Sequence, residues 1–148
     1  EKSANSEGTP MKEMYEWWNK LPYDYAILIN ACCPFLKPET IDEFIEKYIS
    51  SDIDGQFGVI SKKNYFWNQN KEIITPLTES GMNTKTVPVT YEAAHCLYAG
   101  RMKEIGCGVW MGDFMKNEIR LFPMQEKEAF DIDYPWQFEL CEKLWGMK

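Results

Sequence analysis

Tyr25-Ala26-Ile27-Leu28-Ile29, a loop from Asn30 to Lys37, a segment opening on Pro38-Glu39-Thr40, and Phe57-Gly58-Val59-Ile60 decide the fold of this chain. The first stretch is a continuous apolar run with β-branched residues, as expected of an interior parallel strand buried on both faces. After Pro38 the spacing changes. Ile41, Phe44, Ile45, Tyr48 and Ile49 hold one helical face, while Glu43, Glu46 and Lys47 lie outward. Residues 25 to 60 therefore read as one strand-helix-strand unit, the mark of an α/β sheet.

Working outward, residues 1 to 8 are polar, and Thr9-Pro10 opens a helix with a capping hydroxyl and a first-turn proline. Met11, Met14, Tyr15 and Trp18 recur at helical spacing there, and Leu21-Pro22 ends it. From Ser61 to Val89 the regularity fades. Asn64 to Asn68 and Ile73 to Leu77 read as short strands of an excursion, and Glu79 to Thr84 as a linker. His95-Cys96-Leu97-Tyr98 is the next strand, followed by a short helix near Arg101 to Ile105, and Ile119 to Met124 is another strand.

The tail, Phe130-Asp131-Ile132-Asp133-Tyr134-Pro135, then runs into a final helix. Alternation puts Phe130 and Ile132 on one face and both acids on the other. Paired acids leaving an extended segment can hold a divalent cation against a phosphate. Asp133 is equally well placed to cap the helix that Pro135 opens, and by the local pattern alone the cap is the simpler reading.

Composition narrows the partners. The 148 residues carry a formal charge of -7, which argues against a duplex nucleic-acid binder that relies on a basic face. The five cysteines (Cys32, Cys33, Cys96, Cys107 and Cys141) lack zinc-ligand or redox-motif spacing and read as free thiols of a reducing cytoplasm. No apolar run approaches the ~20 residues of a membrane span. The sole histidine, His95, sits within an apolar strand, where a hydrogen-bonded structural role competes with a substrate-facing one.

Four segments, in order, resemble the sugar-acid cytidylyltransferases, the acylneuraminate enzymes first among them. Leu28 to Ile41 is similar to their strand, "LLQPTSPLR" loop and helix, and Gly58-Val59-Ile60-Ser61 to the strand that follows. Val87-Pro88 through Tyr91 to Leu97-Tyr98 resembles their "LP…Y…NGaiYi" block, and Phe130 to Phe138 their "sIDIDtpeDf". The resemblance implies a Rossmann-like nucleotide-diphospho-sugar transferase fold: a mostly parallel sheet flanked by helices with a small β excursion. It implies a single partial domain over residues 1 to 148, cut from a longer protein or seen without its remainder. The family's glycine-rich "ARxGSKGxPxKN" phosphate loop finds no counterpart here, so the isolated chain is expected to be inactive.

What the resemblance further implies is a reaction, in which CTP and a sugar acid give a CMP-sugar and pyrophosphate with Mg²⁺ steadying the phosphates. By this carry-over Asp131 and Asp133 are the catalytic metal carboxylates, and Asn30, Cys33 and Tyr98 face nucleotide and sugar; His95, as the sole histidine, is the further substrate-facing candidate. Residues 62 to 90 supply a homodimer contact, centred on Tyr65 to Leu77. The chain departs from the family pattern at Asn30-Ala31-Cys32-Cys33, which lacks two hydroxyls, and at Glu92-Ala93-Ala94-His95, where an arginine is replaced by Glu92 and an asparagine by Ala94. Two other readings stay open: the same fold acting on another sugar or nucleotide, and a non-catalytic binding or oligomerisation module.

Overall fold

A computed structural model describes residues 13, 16–17, 20–76, 83–102 and 119–146. The expected helix of residues 9 to 21 and the short helix near 101 to 105 fall largely outside the described residues, as do Leu77, most of the 79–84 linker and Cys107. Strand β1 spans Tyr25–Ile29, helix α1 Pro38–Ile49, strand β2 Gly55–Lys62, strand β3 Thr90–Arg101, strand β4 Ile119–Met124 and helix α2 Pro135–Trp145, with one 3₁₀ turn at Thr84–Thr86.

The four strands form one sheet in the order β1-β3-β2-β4. β3 pairs antiparallel with both β1 and β2, and β2 pairs parallel with β4. β1, β2 and β4 therefore point the same way, as the strand-helix-strand reading requires. The expectation of a mostly parallel sheet needs correction, because the one reversed strand lies in the middle. Two of the three pairings are antiparallel, and the sheet is mixed. Periodicity within a strand carries no information on the direction of its neighbour, so this was not legible locally.

Both faces of the sheet are packed, which accounts for the unbroken apolar run of β1, but β1 lies at the edge of the described sheet against an antiparallel neighbour and not in the interior among parallel strands. Ile27 faces a cluster with Phe44, Tyr48, Leu97, Ala99 and Phe122. Ala26 and Leu28 face the opposite cluster of Phe57, Tyr98 and Met102, where Trp17 also packs. Helix α1 starts at Pro38 from an extended Lys37 that has no side-chain cap of its own. Of its expected face Phe44 and Tyr48 are buried, Ile41 and Ile45 are half-buried, and Ile49 is exposed, having drifted off the stripe at the last turn.

Besides Glu39 in its own first turn, α1 meets a second anion from elsewhere in the chain. Glu128, only 3% exposed, lies 2.9 Å from Lys37 Nζ and takes hydrogen bonds from Thr40 and the Lys37 backbone. Burial pushes its carboxyl up, but those hydrogen bonds and the Lys37 charge outweigh it and hold it below the usual range. A depressed carboxyl contributes stability that is whole above its unfolded value of about 4.3 and is lost as pH falls through it. Glu128→Gln is expected to cost about 1–2 kcal/mol at neutral pH. Urea titrations repeated down to pH 3–4 (roughly the window below that unfolded value) check this: the difference between parent and variant shrinks as the acid is approached. A gap that persists unchanged at the acid end contradicts the assignment.

The excursion between β2 and β3 contains no paired strands among its described residues. The two expected short strands reduce to a single bridge, Trp67 to Ile73, because a tight turn closes the segment too early. The amide of Lys71 donates to the Asn68 carbonyl, and Lys71 takes a positive φ of 67° to do so. Thr75 anchors the base, its hydroxyl accepting from the Phe66 amide and donating to the Asn64 carbonyl. Trp67 and Ile74 are left 59% and 62% exposed.

Candidate functional site

The site is made by an irregularity. From Tyr98 back to Ala93, β3 loses register with β2: Phe57 pairs with Tyr98 and Val59 with Ala93, so Gly58 alone faces four residues of β3. The surplus forms a bulge, a device that re-aims side chains and is enriched near active sites. Gly58 makes the close approach possible, since a Cβ there would lie 2.6 Å from Met124 Sδ and 3.4 Å from the Leu97 carbonyl oxygen. Gly58→Val is expected to destabilise the fold by about 1–3 kcal/mol through overpacking, read as a lower urea midpoint; an unchanged midpoint would show that the bulge relaxes freely.

Within the bulge His95 adopts φ 53°, the left-handed region, at a strain of roughly 1–2 kcal/mol for a non-glycine residue. Ala94, Cys96 and Leu97 go into the core on either side of it. The loop after β1 meets the bulge directly. The Asn30 amide donates to the Cys96 carbonyl at 2.9 Å, and its side-chain Nδ2 donates to the His95 carbonyl at 3.1 Å. Asn30 Oδ1 in turn accepts from the Cys32 amide. The tail closes the third side, where the Ile132 amide donates to the Cys32 carbonyl at 3.0 Å.

These contacts enclose a cleft of about 500 Å³ lined by Leu28, Ile29, Asn30, Ala31, His95, Tyr98 and Asp131. It lies at the carboxyl end of β1, where open α/β sheets bind ligands. Four residues singled out from the sequence meet there: Asn30, His95, Tyr98 and Asp131. His95 Nδ1 and the Tyr98 hydroxyl are 2.7 Å apart, and Tyr98 is buried against Phe57 in an edge-on ring contact. Asp131 Oδ1 is buried and has no hydrogen-bond partner among the described residues, a state that costs free energy unless something else supplies a donor or a cation.

The other two candidates lie elsewhere. Cys33 is buried in the core cluster, its thiol beside that of Cys96. Hydrogen bonding to Cys33, together with burial, pushes the Cys96 thiol well above the ordinary range. Cys32, Cys33, Cys96 and Cys141 are free thiols. Asp133 is exposed and does not line the cleft. Nor is it the helix cap that the local pattern suggested. Tyr134 is the N-cap of α2, and the Gln137 carboxamide oxygen accepts from both the Asp133 and Tyr134 amides at 2.7 Å. The glutamine three positions into the helix reaches back to both amides at once, as in a capping box.

Glu92, where the resembled family has arginine, points away from the cleft lining and pairs with Lys62 at 3.4 Å. Lys62 also contacts Glu126. The bulge itself was missed in the sequence; the only local hint was Gly58, a glycine inside an otherwise apolar strand.

A magnesium ion, which the resemblance implies, can be tested against the donor set. No group of three or more His, Cys, Asp or Glu side chains that could hold a metal occurs among the described residues. Mg²⁺ commonly takes one or two carboxylates and completes its shell with water and phosphate oxygens. The orphaned Asp131 Oδ1 fits one such position.

A second hollow, of about 370 Å³, runs beside α2 and is lined by Pro34, Ile132, Phe138, Cys141, Glu142 and Trp145, among others. It is mainly apolar and brings no convergent polar groups to one point. The 500 Å³ cleft is the better candidate on chemistry. No helix among the described residues is long and apolar enough to cross a membrane.

No family model matches the chain, and no curated protein matches it in sequence. Among solved structures it is similar to the crystal structure of 4-diphosphocytidyl-2C-methyl-D-erythritol synthase from Anaerococcus prevotii DSM 20548, with a TM-score of 0.64 and 11% identity over 93% of this chain and 67% of that one. At that identity the likeness shows a shared mixed α/β fold.

Proposed function

We propose that this chain serves nucleotide transfer of the cytidylyltransferase type, working on a hydroxylated sugar acid of the acylneuraminate kind. The observation that carries the reading is the meeting of Asn30, His95, Tyr98 and Asp131 in one cleft at the carboxyl end of β1. The fold shared with a synthase named for a diphosphocytidyl product supports it, as does the ordered resemblance of four sequence segments.

In this reading Asp131 faces the phosphate and sugar hydroxyl region, and Asp133 assists from the rim of the tail. Mg²⁺ held at Asp131 would neutralise phosphate charge during transfer. Asn30 fixes the loop after β1 against β3, so that cleft walls keep their spacing when substrate enters. Leu28, Ile29 and Ala31 present an apolar floor to the carbon skeleton. Residues 62 to 90, with Trp67 and Ile74 outward, serve a second copy of the chain. The site of action is the cytoplasm.

Pyrophosphate release from CTP tests the proposal, using the longest natural polypeptide that contains these residues, a panel of sugar acids, and UTP as the alternative nucleotide. Release with CTP and a sugar acid supports it; no release with any pair sinks it. A different acceptor on the same fold is the second reading, favoured by Glu92. Its pairing with Lys62 leaves no arginine at that position to meet a carboxylate, and the panel separates the two.

A further inference from the structure

His95 is the one cleft residue that its backbone would rather not accommodate. Its φ of 53° is held from three sides: by the register gap opposite Gly58, by Asn30 Nδ2 on its carbonyl, and by the Asn30 amide on the next carbonyl along. The core gains nothing from this side chain, which is exposed to the cleft while its neighbours Ala94 and Cys96 are buried. Strain maintained by several independent anchors around an exposed polar group points to use of that group.

The ring is also oriented. Nδ1 meets the Tyr98 hydroxyl at 2.7 Å, and Tyr98 is fixed because it is 2% exposed. A phenol is a stronger acid than a neutral imidazole N–H, and imidazole nitrogen is the better base, which favours the hydroxyl as donor to Nδ1. In that tautomer the ring proton sits on Nε2, which has no hydrogen-bond partner among the described residues. In the same cleft Asp131 Oδ1 is a buried acceptor without a donor. One open donor and one open acceptor thus share a cleft with an apolar floor.

We propose that His95 and Tyr98 form a fixed dyad in which Nε2–H of His95 donates to a carboxylate or phosphoryl oxygen of the ligand, Tyr98 being the positioning residue, while Asp131 accepts from a hydroxyl of that ligand. The inference rests on the cleft being a ligand site, and it names the ligand's chemistry as a hydroxylated acid or phosphate. Among the described residues no lysine or arginine lines the cleft, and the donor they offer there is a neutral, directional one. With no cation bound at Asp131, its carboxylate would repel an anion at its own wall, which sets the orientation of a ligand that enters without metal: hydroxyl to Asp131, acid oxygen to His95.

The chain has a single histidine, so its imidazole nitrogens can be read without assignment by ¹⁵N NMR. The parent is expected to show one dominant tautomer, with bare Nδ1 displaced by an accepted hydrogen bond and Nε2 protonated. In Tyr98→Phe the Nδ1 resonance moves towards that of a free imidazole while the fold is kept. A protonated Nδ1 in the parent, or an Nδ1 resonance indifferent to Tyr98→Phe, overturns the dyad.

Ligand use is tested on the same protein with N-acetylneuraminate, CMP and inorganic phosphate as separate probes. A shift of Nε2 by the sugar acid alone assigns the oxygen to a carboxylate; a shift by CMP or phosphate assigns it to a phosphoryl group. Tyr98→Phe is expected to weaken that binding roughly three- to tenfold and His95→Gln about tenfold or more. No response of Nε2 to any probe overturns the proposal. A responsive Nε2 in a protein that releases no pyrophosphate would leave the dyad standing and remove the transferase reading. Transfer undiminished in His95→Gln would do the opposite.

Discussion

Phe44→Ala is expected to destabilise the fold by about 3–5 kcal/mol, lowering Tm by roughly 6–20 °C for a chain of this size. Phe44 is fully buried and its ring meets that of Phe122 edge-on, with centroids 5.2 Å apart. It is the contact through which α1 grips the sheet, reaching from the helix to β4. Its carbonyl also accepts from the side chain of Gln56, at 2.7 Å, so a shift of the helix disturbs a buried polar contact on β2 as well. Ile49→Ala on the same helix makes the control. Ile49 is exposed, and its truncation is expected to stay within about 0.5 kcal/mol. Thermal melts of the two variants check the difference; similar losses for both would mean that α1 does not sit on the sheet as described.

Asp131→Asn should separate function from stability. In a natural polypeptide that turns over, loss of the carboxylate is expected to lower the rate about a hundredfold or more, on the scale seen when one electrostatic group is removed from a preorganised site. Stability should hold or rise, because the change removes a buried, unsatisfied acceptor charge and keeps the volume. Asp133→Asn is expected to be milder, since Asp133 is exposed and lies outside the cleft lining. Turnover and melting temperature measured on both variants decide it. Full activity in Asp131→Asn, or a larger loss in Asp133→Asn, would contradict the unequal roles.

The strand-helix-strand unit was legible because its signals are local. The apolar run of β1, the spacing of Phe44 and Tyr48 and the proline at the helix start each act within a few residues. β1 and β4 fall where the pattern places them. The position of β3 between β1 and β2 depends on long-range pairing, to which that pattern is blind. So does the support of α1 by Glu128, some ninety residues further along the chain. The cleft was half legible. Asn30, Tyr98 and Asp131 stand out by resemblance and His95 as the sole histidine, but their meeting depends on a bulge whose only trace is Gly58. Cys33 is buried in the core and Cys32, beside it in the same turn, is exposed, a difference that two adjacent cysteines do not show in sequence. For Asp133 the local pattern offers a helix cap and the resemblance a metal carboxylate; the cap is Tyr134, with Gln137 reaching back to the Asp133 and Tyr134 amides.

Backbone-amide NMR mapping of ligand binding tests the central claim most directly. The claim is that the cleft at the carboxyl end of β1 receives the substrate. Titration of the ¹⁵N-labelled chain with N-acetylneuraminate and with CMP is expected to shift the amides of Leu28 to Ala31, His95, Tyr98 and Asp131 together and with one affinity. Shifts confined to the apolar hollow beside α2, around Phe138, Cys141 and Trp145, or the absence of any coherent shift in the cleft, would contradict it.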